Sequence, residues 1–392
     1  MMTYLDSAAT ALIDKKSLQV AYNEYLLEPF NPSALYQKAQ AIAKKIQIQK
    51  ASFATILNCH HKQLYYTSGA TESNNIVISS FLHHKGGTIL ISPMEHASVY
   101  NPVMALKQFG FTIKELPVTK EAKIDFNAIT DYFSEDLIGI FCLFVCNENG
   151  AILDIERLGS IIEDENKKRK RKIHFHCDCV QALGKLPIDL NRIKPDSASF
   201  CGHKIGAIRG SGLLYLKRPL KPIYDGGGQE DGIRSGTQNI GAMSSFLYSL
   251  ENATKNIDKN KKEIMALKSH LLKGIKDIDL DNQVTLLPVN DSNILLDETR
   301  FSPYIVQLAI VPLPSEVIVR LFDDNDIALS GGSACASSQR TKALRVSNAL
   351  KYHTNVANST IRISFGFYST IDDVNHFLSV LKEKVLPLAK KF

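Results

Sequence analysis

The chain has 392 residues, of which 44% are hydrophobic and 22% charged, as is typical of a globular protein. A formal net charge of +6 is too small to indicate a nucleic-acid-binding protein, and no apolar run is long enough to span a membrane. Seven cysteines at irregular spacings do not resemble a disulfide framework, and the first residues lack the features of a signal peptide. We therefore expect a cytoplasmic protein with reduced thiols and with neither nucleic-acid nor membrane partners.

Short apolar runs alternate with amphipathic segments over the first two-thirds of the chain. The segments 74–84 and 99–110 carry helical patterns. Strands buried on both faces are predicted for the runs GTILIS (87–92), LIGIFCLFV (137–145), KIHFHCD (172–178), SASFC (197–201) and SGLLYL (211–216). This alternation predicts an α/β fold with a mainly parallel sheet.

The last third of the chain has a different pattern. A long polar helical stretch covers roughly 241–276 and is followed by two predicted strands, NILL (293–296) and STIRISFG (359–366), and by C-terminal helices. We expect a smaller α+β unit here.

One run of positive charge, KKRKRK at 167–172, lies between a predicted helix and a predicted strand. Such a run is either a solvated loop or a nuclear-import or nucleic-acid patch. Its position inside a strand–helix–strand unit, rather than on a tail, favours the solvated loop.

Two residues at predicted strand ends are candidates for a shared site. Asp178 ends one strand, and ligands of open α/β sheets bind beyond such ends, although an aspartate there also serves as an ordinary helix cap. Lys204 follows the next strand and precedes a glycine-rich turn, where partial desolvation would make its amine nucleophilic. A pyridoxal-phosphate enzyme needs such a lysine, and an acid that keeps the pyridine nitrogen protonated.

Further candidates lie in loops and in one late strand. SGATESNN (68–75) and the glycine-rich GGGQEDGIRSGTQN (226–239) each suit an anion, although the first is also an ordinary capping loop. Cys335 lies among small residues in ALSGGSACASSQR (328–340), which indicates an accessible thiol. Arg362 interrupts an apolar strand, which is costly unless its guanidinium meets a carboxylate.

Ten motifs in register point to a family. In chain order they are YLDSAAT, NPSALY, SGATESNN, PMEHASV, CNENGAI, DCVQALGK, SFCGHK, GGGQEDGIRSGTQN, GSACAS and RISFG. From about residue 3 to about residue 375, the chain resembles the cysteine desulfurases of the NifS/IscS type, which are class V aminotransferase-like proteins of pyridoxal-phosphate fold type I. The GSAC sequence resembles that of the group I members.

The resemblance implies a role for each matching residue. Lys204 would hold pyridoxal phosphate as a Schiff base, Asp178 would pair with the ring nitrogen, and Gln181 would contact the ring hydroxyl. His96 would stack on the ring and shuttle protons, and Cys335 would accept the sulfur. The residues implied to hold the phosphate are Ala70, Thr71, Cys201, His203 and, from a partner subunit, Thr237; those implied to hold the substrate carboxylate are Asn147 and Arg362.

The resemblance also implies an activity and a domain organisation. The substrate would be L-cysteine, converted to L-alanine with a persulfide on the enzyme for sulfur transfer, as in iron–sulfur cluster biogenesis, and the enzyme would be a homodimer. Its seven-stranded sheet would lie in a large domain over 15–250. A small domain would comprise 1–14 and 251–392, the latter carrying the cysteine loop. The chain stops soon after its last helix, so we do not expect the tail that docks the iron–sulfur scaffold protein, although a sulfur-acceptor protein is possible.

Several positions depart from the family pattern. Cys201 stands where a phosphate-binding serine is usual, and a thiol is a poorer hydrogen-bond donor. Cys146 replaces the first Asn of the usual Asn-Asn-Glu run, and Tyr36 and Ala39 replace the usual His and Gly. The turn at 206–210 lacks the usual Pro-Lys pair.

Other functions are compatible with the same sequence. Several alternatives share the fold: selenocysteine lyase, cysteine desulfinase, another class V lyase or aminotransferase, a desulfurase serving tRNA or DNA thiolation, and a degenerate partner subunit. A metal-binding regulator is a remote alternative, because alternation along a strand places His174, His176 and Asp178 on one face but Cys177 and Cys179 on the other.

Overall fold

The computed structural model describes residues 2–223, 225–331 and 344–391, so Cys335 lies outside the described residues. Its α-helices are α1 (Lys15–Leu27), α2 (Gln37–Leu57), α3 (Ala70–Ser80), α4 (Ala97–Ala105), α5 (Ile155–Lys168), α6 (Leu190–Ile193), α7 (Ile240–Lys255), α8 (Ile257–Ile278), α9 (Ser292–Leu295), α10 (Ser315–Asp323), α11 (Arg345–Ala349), α12 (Thr354–Asn358), α13 (Ile371–Val380) and α14 (Leu386–Ala389). Its strands are β1 (Thr3–Tyr4), β2 (Leu64–Thr67), β3 (Gly87–Ile91), β4 (Phe111–Glu115), β5 (Leu137–Phe141), β6 (His174–Asp178), β7 (Ser197–Cys201), β8 (Gly212–Leu216), β9 (Val284–Leu287), β10 (Ile305–Ile310), β11 (Ile327–Ala328), β12 (Ser330–Gly331) and β13 (Thr360–Ser364).

A seven-stranded sheet has the strand order β2-β8-β7-β6-β5-β3-β4. The five neighbouring strands β7, β6, β5, β3 and β4 are parallel. β8 pairs antiparallel with both β7 and β2. β5, β7 and β8 are buried along their whole length, which explains why their sequences are continuous apolar runs rather than alternating ones. The predicted mainly parallel α/β fold is confirmed.

The register of β6 and β7 brings the two predicted strand ends together. Asp178 pairs with Ser199 across the ladder, and Lys204 follows β7 in a short 3₁₀ turn, Gly202–Lys204. Because parallel strands end at the same edge of a sheet, both side chains lie at one carboxyl edge.

A four-stranded antiparallel sheet of order β12-β13-β10-β9 follows in the last third of the chain. The prediction of a strand at 293–296 is wrong, because Asp291 caps a short helix there by accepting bonds from the N–H groups of Asn293 and Ile294. The polar stretch after residue 240 forms two helices, separated at Asn256, rather than one. The domain boundaries at 14 and 250 stay predictions.

The N-terminal segment, residues 3–14, links the smaller sheets to the seven-stranded one. Thr3 pairs with Ile327, and the Ser7 N–H donates to the Ser364 carbonyl at 3.2 Å. Further along, the Ala11 N–H donates to the His203 carbonyl at 2.9 Å. The segment therefore passes directly over the edge that carries Lys204.

The basic run at 167–172 is the end of α5 and the connection to β6, as the loop interpretation expects. The guanidinium of Arg169 donates to the carbonyls of Ser134 at 2.6 Å and of Leu137 at 3.1 Å, so this residue fastens the connection to the strand β5. Among the residues that the structure describes, no helix has the length and apolar character that crossing a bilayer requires.

Candidate active site

Lys204 lies beneath the N-terminal segment. Its Nζ donates to the carbonyls of Ala8 at 2.7 Å and Ala9 at 2.6 Å. Burial lowers the pKa of Lys204, an effect that the charge of Arg362 reinforces and that of Asp178 opposes. A lysine whose neutral form is favoured can attack an aldehyde and can accept a proton.

Asp178 is 6% exposed at the end of β6. Its Oδ1 accepts from the N–H of Val180 at 3.0 Å, and its Oδ2 accepts from Nδ2 of Asn74 at 3.3 Å. Burial raises the pKa of this carboxyl, while both hydrogen bonds and the nearby His96 and Lys204 oppose that rise. Asp178 is thus a buried carboxylate that can hold a proton on a ring nitrogen.

His96 is the N-cap of α4; the residue as a whole is exposed, whereas the hydrogen bonds of its ring are partly buried. Its Nδ1 lies 2.8 Å from the hydroxyl of Ser98 and accepts from the Ser98 N–H at 3.1 Å. Desolvation of the ring lowers the pKa of His96, which favours a neutral imidazole beside the Lys204 and Asp178 charges.

Gln181 and a buried lysine extend the site along the segment after Asp178. Nε2 of Gln181 donates to the same Ala8 carbonyl that Lys204 contacts, at 2.9 Å, and Oε1 accepts from Nζ of Lys185 at 3.2 Å. Burial lowers the pKa of Lys185 to about 7. Because Lys185 binds the amide oxygen of Gln181, the amide nitrogen faces Ala8.

The start of α3 forms the other end of the site. Gly69 occupies the N-cap and supplies no side-chain hydrogen bond, and Thr71 lies exposed in the first turn after Ala70. A Cβ on Gly212 would lie only 2.4 Å from the backbone of Gly69, so a glycine is needed where β8 passes beneath this helix end. The first-turn N–H groups can receive an anion.

His203 and Cys201 flank the same edge. His203 contacts the Thr10 hydroxyl through Nδ1 at 3.2 Å, and burial lowers the pKa of this imidazole to about 4. Cys201 is buried, and burial raises the pKa of its thiol to about 12. Cys201 therefore stays a neutral thiol and is poorly suited to be a sulfur nucleophile.

Arg362 lies on β13, where its side chain is 9% exposed. One Nη donates to Asp6 at 2.8 Å and to the Ser330 hydroxyl at 3.1 Å, and the other donates to the backbone carbonyl of Asn147 at 2.9 Å. Nε is buried with no hydrogen-bond partner among the described residues. The structure thus brings Asn147 to Arg362 through its main chain.

The glycine-rich loop at 226–239 lies beside α3 but leaves Thr237 exposed. Nε of Arg234 donates to Glu72 at 3.0 Å, and Glu230 is held by a buried ion pair with Lys50 at 2.7 Å. Among the described residues, Thr237 forms no hydrogen bond with Lys204 or with the residues around it.

The segment that carries Cys335 is bounded by residues of the site. On one side, Ser330 pairs with Arg362 and its hydroxyl donates to Asp6 at 2.7 Å. On the other side, Nε of Arg345 donates to the carbonyl of Pro93 at 2.8 Å, three residues before His96. Cys335 itself lies outside the described residues.

Sequence reasoning missed several residues of this site. Asn74 lies within the SGATESNN motif, and His176 shares a strand face with Asp178, so both had a signal that was not used. Asp6, Ala8 and Ala9 lie within the YLDSAAT motif, but nothing in that motif shows that Asp6 meets Arg362, 356 residues away, or that two backbone carbonyls hold Lys204.

The metal-binding alternative gains no support. His174 and His176 are both engaged with the hydroxyl of Ser197, at 2.7 Å and 2.8 Å, and Cys177 and Cys179 lie buried with their sulfurs 3.6 Å apart. Within the described ranges, no group of three or more His, Cys, Asp and Glu side chains is arranged to hold a metal ion.

Comparison with known proteins gives consistent matches. The family model described as aminotransferase class-V matches residues 3–377. A NifS/IcsS protein homolog of Lactobacillus delbrueckii subsp. bulgaricus is 31% identical, with 97% of each chain covered. A cysteine desulfurase IscS of Methanosarcina thermophila is 29% identical, over 98% of this chain and 92% of that one. A solved NifS-like protein superposes with a TM-score of 0.88 at 25% identity, covering 99% of this chain and all of that one.

Proposed function

The chain belongs to the aminotransferase class-V family, among the cysteine desulfurases of the NifS/IscS type, and we propose that it converts L-cysteine to L-alanine and a persulfide on Cys335. The observation that carries the proposal is that three residues lie together at one edge of the seven-stranded sheet: Lys204 after β7, Asp178 at the end of β6 and Arg362 on β13. A nucleophilic amine, a buried carboxylate and a guanidinium are the groups that this reaction needs.

The residues fit pyridoxal phosphate. The Lys204 amine has a lowered pKa, Asp178 can hold the proton of a pyridine nitrogen, and the start of α3 lacks a side-chain cap that would compete with a phosphate. When bound, the cofactor would supply an aldehyde for the substrate amine and an electron-withdrawing ring that stabilises charge at the substrate Cα. Gln181 would hold the ring hydroxyl, and Thr71, His203 and Cys201 the phosphate.

Lys204 and Arg362 divide the work on the substrate. The guanidinium of Arg362 binds and orients the carboxylate of L-cysteine, and Nζ of Lys204 takes the proton from Cα. When the Lys204 amine is not bonded to the cofactor, the carbonyls of Ala8 and Ala9 hold it, as they do in this structure.

Cys335 takes the sulfur. Its thiolate forms a bond to the substrate sulfur while the substrate Cβ–S bond breaks, and Cβ gains a proton to become the methyl group of alanine. Support comes from the residues on either side of the Cys335 segment, because Ser330 contacts Arg362 and Arg345 contacts the carbonyl of Pro93, three residues before His96. A sulfur-acceptor protein or a small thiol then removes the sulfur.

We also propose that a second copy of this chain completes the site. α1 exposes Tyr22, Leu26 and Leu27, each more than half exposed, and the hydroxyl of Tyr25 donates to Asn239 at 2.6 Å, two residues after Thr237. If a second subunit covers this apolar face, the Thr237 of one subunit would reach the phosphate site of the other.

Mixed dimers test the shared site. Lys204→Ala and Thr237→Ala should each be weakly active alone, whereas a mixture of the two should recover up to one intact site per dimer. In that mixed dimer, the Thr237→Ala subunit keeps its own Lys204 and receives a normal Thr237 from its partner. Failure of any mixture to exceed the two parents would reject the shared site.

A reducing compartment, the cytoplasm, fits the thiols. Cys59, Cys142, Cys146, Cys177, Cys179 and Cys201 are all free, and the described residues contain no disulfide.

The product assay tests the activity. With pyridoxal phosphate, L-cysteine and a thiol reductant, the protein should release alanine and sulfide in equal amounts. Without the reductant, about one equivalent of alanine should form per site and little sulfide should be released, since the sulfur stays on Cys335 as a persulfide. Release of pyruvate, or turnover of selenocysteine but not cysteine, would reject the desulfurase assignment.

A further inference from the structure

Asn74 connects the two catalytic groups that flank Lys204. It is fully buried on α3, and Nδ2 donates to Oδ2 of Asp178 at 3.3 Å and to the hydroxyl of Ser98 at 2.9 Å. Its Oδ1 lies 3.0 Å from Nε2 of His176. All the polar atoms of one buried amide are therefore used.

The hydrogen-bond directions follow from the charge of Asp178. A flipped Asn74 would place its amide oxygen against the carboxylate, and two acceptors at that distance repel. With the amide nitrogen facing Asp178, the amide oxygen faces His176, so Nε2 of His176 must carry the proton and donate.

A second set of contacts holds His176 in that tautomer. Its Nδ1 lies 2.8 Å from the hydroxyl of Ser197, which in turn lies 2.7 Å from Nε2 of His174. Burial lowers the pKa of His176 to about 3, so the ring carries a single proton at neutral pH. The Ser197 hydroxyl donates to Nδ1 and accepts from His174, which leaves the His176 proton on Nε2.

The other arm of the amide reaches His96. Because the Ser98 hydroxyl accepts from Asn74, its own proton is free to point at Nδ1 of His96, 2.8 Å away. The Ser98 backbone N–H also donates to that nitrogen, at 3.1 Å. Two donors aimed at Nδ1 leave the proton of a neutral His96 on Nε2.

We propose that Asn74 is a positioning residue, held in one orientation by His176, which keeps Asp178 ionised and His96 a neutral ring protonated on Nε2. This rests on the proposed function and assigns its acid–base roles. A ring whose only lone pair is covered by two donors is a hydrogen-bond donor rather than a base, so removal of the Cα proton falls to Lys204 alone.

Two replacements of His176 distinguish the effect of its hydrogen bond to Asn74 from the effect of its packing. His176→Phe keeps the ring that packs against Phe141 but removes the donor to Asn74, whereas His176→Gln can keep a donor near the position of Nε2. Asn74→Leu removes the whole connection. Ser79→Ala is the matched control, since Ser79 lies on the same helix and bonds only to the local Ile76 carbonyl.

Affinity for pyridoxal phosphate is the first readout. Loss of the Nδ2 donor in Asn74→Leu, and of the contact that fixes the orientation of that donor in His176→Phe, should weaken binding about tenfold, because a neutral Asp178 carboxyl no longer pairs with the ring nitrogen. His176→Gln and Ser79→Ala should stay within about twofold of wild type, as one weak polar contact at most is changed. Unchanged affinity in His176→Phe, or an equal loss in His176→Gln, would overturn the proposal.

The second readout needs no cofactor, so its failure is distinguishable from failure of the proposed function. In the cofactor-free protein labelled with ¹⁵N-histidine, the His96 signals, assigned by their loss in His96→Gln, should show an unprotonated Nδ1 and a protonated Nε2. A protonated Nδ1 at neutral pH would refute the assignment.

Discussion

The two sides of the site are built differently. The cofactor side, formed by Asn74, His176 and Asp178, is buried and its polar atoms are mutually hydrogen-bonded. The substrate side, formed by Asp6, Ser330 and Arg362, holds an ion pair and leaves the Nε of Arg362 without a partner among the described residues.

The difference matches what each side binds. A cofactor that stays bound through turnover is served by groups fixed in one state, which cost no reorganisation when charge develops. A substrate that enters and leaves as a carboxylate is served by a guanidinium, whose paired N–H groups can bind it. We therefore expect changes on the cofactor side to lower kcat and changes on the substrate side to raise KM.

The largest effect should come from Lys204, which serves both sides. Lys204→Ala should lower kcat roughly a thousandfold, since it removes the general base and the covalent attachment. Borohydride should trap the cofactor on Lys204 in the wild-type protein and leave the variant unlabelled. Label on another lysine would show that the assignment of Lys204 is wrong.

Asp178 should affect kcat. Asp178→Ala should lower kcat about a hundredfold at saturating cofactor, roughly 3 kcal/mol, because the ring nitrogen loses the charge that holds its proton. The KM for L-cysteine should change little. Steady-state kinetics with excess pyridoxal phosphate measure both constants, and a near-normal kcat would contradict the role of the cofactor side.

Arg362 should affect KM. Arg362→Gln removes the charge but keeps amide donors, and should raise the KM about thirtyfold, roughly 2 kcal/mol for a charged hydrogen bond. Cofactor colour should be unaffected. If kcat fell instead while KM stayed constant, the contrast between the two sides would fail.

The smallest effect should come from Cys201. Cys201→Ser places a better donor where a phosphate is expected, so pyridoxal phosphate should bind slightly more tightly, by about 1 kcal/mol or less, with little change in turnover. Cofactor release from dialysed holoenzyme compares the two proteins. Loss of sulfide release in Cys201→Ser would indicate instead that this thiol is catalytic.

The sequence predicted those parts of the site that depend on strand ends. Asp178 and Lys204 follow apolar runs that form neighbouring parallel strands, so their placement at one edge follows from the fold. Arg362 was recognisable because a charge inside an apolar strand requires a partner.

The partners could not be predicted from the same patterns. Asp6 meets Arg362 from the opposite end of the chain, and Lys204 is held by two backbone carbonyls that any residue could supply. The strand predicted at 293–296 failed because a local aspartate cap outweighed the apolar run Ile294–Leu296.

The central claim is that sulfur leaves L-cysteine for Cys335, and the position of the persulfide tests it most directly. The holoenzyme would be mixed with L-cysteine without a reductant, alkylated, digested and analysed by mass spectrometry. Cys59→Ala is the control, because Cys59 is a partly exposed thiol that the mechanism does not use. The account predicts one extra sulfur on the peptide containing Cys335, retained in Cys59→Ala and lost in Cys335→Ala. Extra sulfur on Cys201 or Cys179, or sulfide release undiminished in Cys335→Ala, would contradict it.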